Sequence, residues 1–187
     1  INFNSPYKAL DIRDFWRRWH ITLGRFLKDY VYIPLGGNRK GDLSTYNNLF
    51  VTFLICGVWH GAGWTFILWG ALHGSALVFH RIWEKFNFRM NRMAAWFITF
   101  NFINVCWVFF RARSFDDAIK VIKGMAGLNG IVLPVRLGKY FNFFAPSSLL
   151  GDWNTNMKLL SRDNLLLIAV CLAVSVLSYN SQEIMAK

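Results

Sequence analysis

Asn48 to Cys56 is an apolar run, Gly57-Val58-Trp59-His60-Gly61-Ala62-Gly63 interrupts it, and Trp64 to Phe79 is a second run ending at His80-Arg81. Neither half reaches the ~20 residues of a full bilayer span. The glycines break what could otherwise continue as one helix and leave backbone groups that need partners inside a cavity. The stretch therefore reads as a broken helix pair over residues 48–80, with Trp59 and His60 at the break near the membrane interior. An ionisable side chain in such surroundings is a functional candidate by default.

The rest of the chain supports a membrane setting. Of 187 residues, 55% are hydrophobic, 18% aromatic and 17% charged, which is far more apolar and aromatic than a soluble domain of this size. The formal charge of +11 is gathered in short interludes, Arg13 to Lys40 and His80 to Arg92, between apolar blocks. That pattern matches cytoplasmic loops under the positive-inside bias and argues against nucleic acid as a partner. Cys56, Cys106 and Cys171 are widely spaced in apolar stretches and read as free thiols. The chain opens at Ile1 without an initiator Met, and Ile1 to Asp11 lacks the layout of a signal peptide, so the expectation is an internal fragment.

The fold class expected is all-α: one membrane domain over residues 1–187, part of a polytopic helical bundle with interfacial and broken helices. Over residues 11–30 apolar side chains fall at helical spacing (Ile12, Phe15, Trp16, Trp19, Leu23, Phe26, Leu27, Tyr30), with His20 on that face and Arg13, Arg17, Arg25 and Lys28 opposite. It is too charged to span and reads as an amphipathic interfacial helix. Pro34 ends it, and Leu35-Gly36-Gly37-Asn38 is turn chemistry. Residues 94–110 and 165–179 are the expected spans, with Asn101 and Asn104 requiring partners inside a bundle. Between them, Ser114 to Met125 has an amphipathic helical pattern, and Gly124 to Asp163, rich in Gly, Pro, Asn and Ser, reads as a loop with a short apolar stretch at Ile131 to Val135.

A neutral imidazole in a dry cavity can take a proton from a hydroxyl as that hydroxyl attacks a carbonyl. His60 is the first candidate for that role and His20 the second. His73 and His80, seven apart on one face, read as packing or interface anchors. No His-Glu-x-x-His is present and no acid accompanies His60, so no metal site is expected. Gly36-Gly37-Asn38-Arg39-Lys40 lacks the spacing of a nucleotide phosphate loop. Its basic Arg39 and Lys40, with Arg17, Arg18, Arg25 and Lys28, could meet the phosphates of a cytoplasmic donor, although lipid headgroups or solvation explain them at least as well.

Asp14-Phe15-Trp16-Arg17-Arg18-Trp19-His20, then Asp29-Tyr30-Val31-Tyr32-Ile33-Pro34-Leu35-Gly36-Gly37-Asn38-Arg39, then Gly57-Val58-Trp59-His60-Gly61, in that order, closely resemble the membrane-bound O-acyltransferase family. The Pro34 to Arg39 stretch is similar to the bacterial branch that acetylates alginate or peptidoglycan. The resemblance is dense over Ser5 to Gly74, looser through Trp107 to Met125, and fades beyond. It implies that His60 is the catalytic histidine deep in a tunnel and that His20 occupies the second family position. It places Trp19, Trp59 and Gly61 along that tunnel and makes this chain the C-terminal half of a multi-helix fold in the bacterial inner membrane.

It further implies acetyl-CoA as donor substrate, with no bound cofactor. The implied partners are the lipid bilayer and a periplasmic esterase-like protein or a polysaccharide acceptor. Two rivals remain open at this point. One is D-alanyl transfer from a carrier protein to teichoic acid. The other is a non-enzymatic transporter in which His60 senses protons.

Overall fold

The computed structural model describes residues 1–128 and 162–177. The chain forms two compact units, residues 1–115 and residues 116–178, and all regular structure among the described residues is helical. The helices are α1 (Ile12–Arg18), α2 (Ile21–Leu27), α3 (Asp42–His60), α4 (Trp64–Lys85), α5 (Arg92–Arg111), α6 (Phe115–Met125) and α7 (Arg162–Leu177). The amphipathic pattern from Ser114 to Met125 corresponds to α6. The Gly124 to Asp163 loop lies largely outside the described residues, as does the end of the 165–179 segment. Within that segment α7 is apolar from Leu166 to Leu177.

The segment over 11–30 is not one helix. Asp11 caps α1, its Oδ1 accepting the Asp14 amide at 2.7 Å. The helix stops at Arg18 because Trp19 is extended and His20 is left-handed, at φ 43° and ψ 56°. That conformation costs an L-residue about 1–2 kcal/mol, so something must hold it. The N-terminal segment does so from both sides of the break. The Asn4 amide donates to Arg18 O at 2.8 Å, the Ile21 amide to Asn2 O at 2.9 Å, and the Thr22 amide to Asn2 Oδ1 at 3.0 Å. Helical periodicity survives a two-residue break of this kind, which is why the sequence reads as continuous.

After α2 the chain makes a π-helical turn, Lys28–Tyr32, and enters the glycine turn. Gly36 and Gly37 have φ of 113° and 57°, a region glycine enters freely. Asn48, buried in α3, donates from Nδ2 to Gly37 O at 2.8 Å and pins this turn to the hairpin.

Helices α3 and α4 form an antiparallel hairpin closed by Gly61 to Gly63. Gly57 and Gly70 let the backbones touch: a Cβ on either would lie 2.4 Å from a carbonyl oxygen of the partner helix, Phe66 O and Phe53 O respectively. Small residues permit such close approach in membrane bundles. At the other end an ion pair joins Lys85 to Asp42, and the ammonium beside it holds the Asp42 carboxyl below the usual carboxylate range. Both helices are longer than the apolar runs suggest, 19 and 22 residues, because Gly57 to His60 stay helical and the break is confined to Gly61–Gly63.

Helix α5 packs on α4 and the start of α1. Trp96 Nε1 donates to Tyr7 O at 2.9 Å and Thr99 Oγ1 to Leu10 O at 3.1 Å, while Ile103 and Cys106 are buried. Asn101 and Asn104 do not reach across the bundle as expected. Each donates to the carbonyl one turn back on its own helix, Phe97 O and Phe100 O, both at 2.8 Å. Among the described residues α5 is the one helix long and apolar enough to cross a membrane.

Candidate active site

The site is built where two helix ends meet an aromatic layer. His60 is the last residue of α3, so its side chain sits at the mouth of the hairpin, immediately before the Gly61 turn. Its imidazole is half-buried and packs edge-to-face on three rings, Trp59 at 4.8 Å, Trp69 at 5.2 Å and Phe110 at 5.0 Å between centroids. His20 is held at the strained break between α1 and α2, with Nδ1 3.4 Å from Thr22 Oγ1.

An arc of rings joins the two histidines. His20 lies 6.0 Å from Phe3, Phe3 4.8 Å from Trp19, Trp19 4.9 Å from Trp107, and Trp107 5.9 Å from Phe110, which touches His60. His20 and His60, 40 positions apart in sequence, stand at the two ends of this arc. Trp19 is half-buried within the arc and stacks on Phe15 at 5.9 Å. Trp59 is 65% exposed at the rim. Gly61 lies against the Phe66 ring, where a Cβ would come within 2.7 Å of Cε2.

The arginines divide. Arg17 and Arg25 line one cleft of about 410 Å³ whose floor includes Trp16, Phe53 and Leu77. Arg18 does not join them: its Nε bonds Asp14 Oδ1 at 2.8 Å and Nη1 reaches Asn4 O at 3.5 Å. Lys28, expected beside them, lines the cleft, and so does Arg13, which was not singled out from the sequence, because α1 and α2 turn Arg13, Arg17, Arg25 and Lys28 to one side. Arg13 is taken up by Glu84, and the other three basic side chains around an apolar floor suit an anionic group carried on an apolar or aromatic stem.

His73 is a packing residue, as its place in the apolar run suggests, and it lies deeper than the sequence reveals. It is 1% exposed and ringed by Phe15, Trp16, Phe53, Trp69 and Phe102. Trp16 Nε1 donates to His73 Nδ1 at 3.1 Å. An indole N–H can only donate, so Nδ1 carries no hydrogen and the neutral ring holds its proton on Nε2. Trp69, 4.7 Å from His73 and 5.2 Å from His60, carries this packing to the site. Its signal was present in the sequence, since Trp69 and His73 are one helical turn apart, but an all-apolar run does not reveal which face is buried. Among the described residues no three His, Cys, Asp or Glu side chains converge as a metal ligand set.

Comparison with known proteins follows the same residues. The model of the membrane-bound O-acyltransferase family matches residues 1–114. A peptidoglycan O-acetyltransferase of Helicobacter pylori is 66% identical over 137 residues, covering 71% of this chain and 26% of that protein. A probable alginate O-acetylase of Pseudomonas putida is 46% identical over 130 residues, 66% of this chain and 26% of the relative. A teichoic acid D-alanyltransferase of Bacillus subtilis is 30% identical over 129 residues, 61% of this chain and 33% of the relative. The chain spans about a quarter of the length of the first two relatives.

Proposed function

This chain belongs to the membrane-bound O-acyltransferase family, and from that premise we propose that the full-length protein is a multi-pass inner-membrane O-acetyltransferase. It moves an acetyl group from a cytoplasmic thioester, acetyl-CoA, toward an extracytoplasmic polysaccharide of the peptidoglycan or alginate class. The observation that carries the reading is the arc of aromatic rings that runs from His20 to His60.

In this scheme His60 takes the proton of the acceptor hydroxyl as its oxygen attacks the thioester carbonyl carbon. The new C–O bond forms, the C–S bond breaks, and the leaving thiolate takes up a proton with His20 assisting. A positioned base of this kind contributes about 10²- to 10⁴-fold. Arg17, Arg25 and Lys28 receive the donor's phosphates at the cleft, which Arg13, paired with Glu84, also lines. The acceptor is the polymer itself or a periplasmic esterase-like relay protein.

The 66% identity to a protein named for peptidoglycan O-acetylation favours that polymer. The 30% identity to a D-alanyltransferase supports the second reading, transfer of D-alanine from a carrier protein on the same histidines. One experiment separates them. Membranes holding the full-length parent or its His60→Ala variant are given radiolabelled acetyl-CoA, and label is followed into polymer or periplasmic protein. Label moved by the parent and lost in the variant supports acetyl transfer at His60. Transfer from a D-alanyl carrier protein alone selects the second reading, and undiminished turnover by His60→Ala removes both.

A further inference from the structure

A groove of about 1010 Å³ lies apart from both histidines, between the C-terminal half of α4, the turn at 86–91, the start of α1 and the N-terminal half of α5. Its two ends differ. Leu72, Ala76, Phe79, Ile98 and Phe102 wall one end, and Asp11, Glu84, Arg89 and Arg92 gather at the other.

The spacing along α5 gives this polarity a scale. Arg92 begins the helix suited to crossing a bilayer, and Phe102 lies ten residues further in. At 1.5 Å per residue that is about 15 Å, half of the ~30 Å hydrocarbon core. Helix α4 runs the same gradient, from Glu84 at the charged end to Leu72 at the apolar end, with Trp83 on the groove near the charged end. Indole rings favour that headgroup level. The groove thus has charge at headgroup depth and apolar walls over the depth of one leaflet.

The sign of the headgroup follows from which charges are already matched. Arg13 pairs with Glu84, and Asp11 caps α1 and faces His80 at 3.6 Å. Among the described residues Arg89 and Arg92 are exposed and have no ion pair. Two cations thus stand against the single carboxylate of Asp11, and this end is net positive. We propose that the groove is a binding site for an anionic phospholipid, its phosphate on Arg89 and Arg92 and an acyl chain between α4 and α5.

The test uses the full-length protein in nanodiscs of phosphatidylcholine with a small fraction of phosphatidylglycerol. The protein is re-extracted in mild detergent and retained lipid is counted by native mass spectrometry. The parent should keep phosphatidylglycerol in preference to phosphatidylcholine. A surface arginine contributes about fivefold to such a preference, so the Arg89→Gln/Arg92→Gln variant should lose about 30-fold. Ala95→Trp, which fills the groove and keeps both arginines, should lose the lipid too. The arginine variant, changed only at exposed positions, should melt with the parent, and this keeps the test readable if the tryptophan variant misfolds. Equal retention of the two lipids, or unchanged retention without the arginines, would overturn the proposal. So would an anion site that inorganic phosphate fills with no lipid retained, or a parent that holds no lipid because another segment of the full-length chain occupies the groove.

Discussion

Gly70→Ala is the sharpest perturbation of the scaffold that carries His60. The added Cβ would sit 2.4 Å from Phe53 O and 3.1 Å from Gly57 Cα, both backbone atoms that no side-chain rotation can move. Restoring ordinary contact requires α3 and α4 to separate by about 1 Å, and overpacking of this kind costs typically ~1–3 kcal/mol. Each kcal/mol lowers Tm by roughly 2–4 °C in a 150–250-residue domain and by less in a longer chain, so the full-length variant should melt up to a few degrees below the parent. Because His60 ends the displaced helix, acyl transfer should fall further than stability does, as a 1 Å misplacement can cost ~10²-fold. Thermal unfolding in detergent, followed by tryptophan fluorescence, reads the first effect, and turnover below the melting range reads the second. Gly24→Ala is the control: its Cβ meets only Trp16 O at an unstrained 3.6 Å, within a helix. Parent-like melting of Gly70→Ala, or an equal loss in Gly24→Ala, would refute the argument that backbone contact sets this hairpin.

Trp16→Phe strands His73 Nδ1 in the core and should cost ~1–3 kcal/mol, whereas Trp16→Phe/His73→Phe removes both polar partners and should recover part of that loss; a double-mutant cycle with no coupling would discard the bond. Arg17→Gln and Arg25→Gln should each raise the KM for acetyl-CoA several-fold, more at low salt than at high, while Arg18→Gln should leave KM alone; a KM effect confined to Arg18 would reverse the assignment. His20→Gly should raise Tm by relieving the left-handed backbone, by up to about 1–2 kcal/mol of stability, and lower transfer, whereas His20→Ala should gain no stability; a thermal shift assay beside turnover measures the pair.

What the sequence revealed and what it hid divide along a physical line. Apolar runs and glycine punctuation read directly, because burial and backbone freedom are properties of single positions and their spacing. The break at Gly61–Gly63 and the long apolar α5 were legible for that reason, although the two helices form an antiparallel hairpin of 19 and 22 residues and not the short halves of one broken span. The break at Trp19-His20 was not, since it is imposed from outside by Asn2 and Asn4 and leaves the helical spacing of Phe15, Trp16, Leu23 and Leu27 intact. The partners of Asn101 and Asn104 were misjudged for the opposite reason: a side-chain amide on a helix can bond its own previous turn, and spacing alone favours no distant partner over a local one. Likewise Arg17 and Arg18 are adjacent in sequence, yet Asp14 one turn back captures only Arg18.

The same division explains the chemistry's location. His60 needs no strain, because a helix end before a glycine turn presents its side chain at an edge. His20 is different: a residue with a Cβ occupies a left-handed position that glycine would adopt more cheaply. Three hydrogen bonds from the N-terminal segment over-determine that conformation, and strain persists only where surrounding structure does this. The imidazole obtained in return lies in the aromatic arc that leads to His60. A regular helix through residues 11–30 would send the chain straight on past Arg18. The turn at Trp19-His20 redirects it, and so brings a second histidine into the arc while Arg13, Arg17, Arg25 and Lys28 converge on the cleft. Both arrangements therefore hang on Asn2 and Asn4, which lie outside every motif that marks the proposed site.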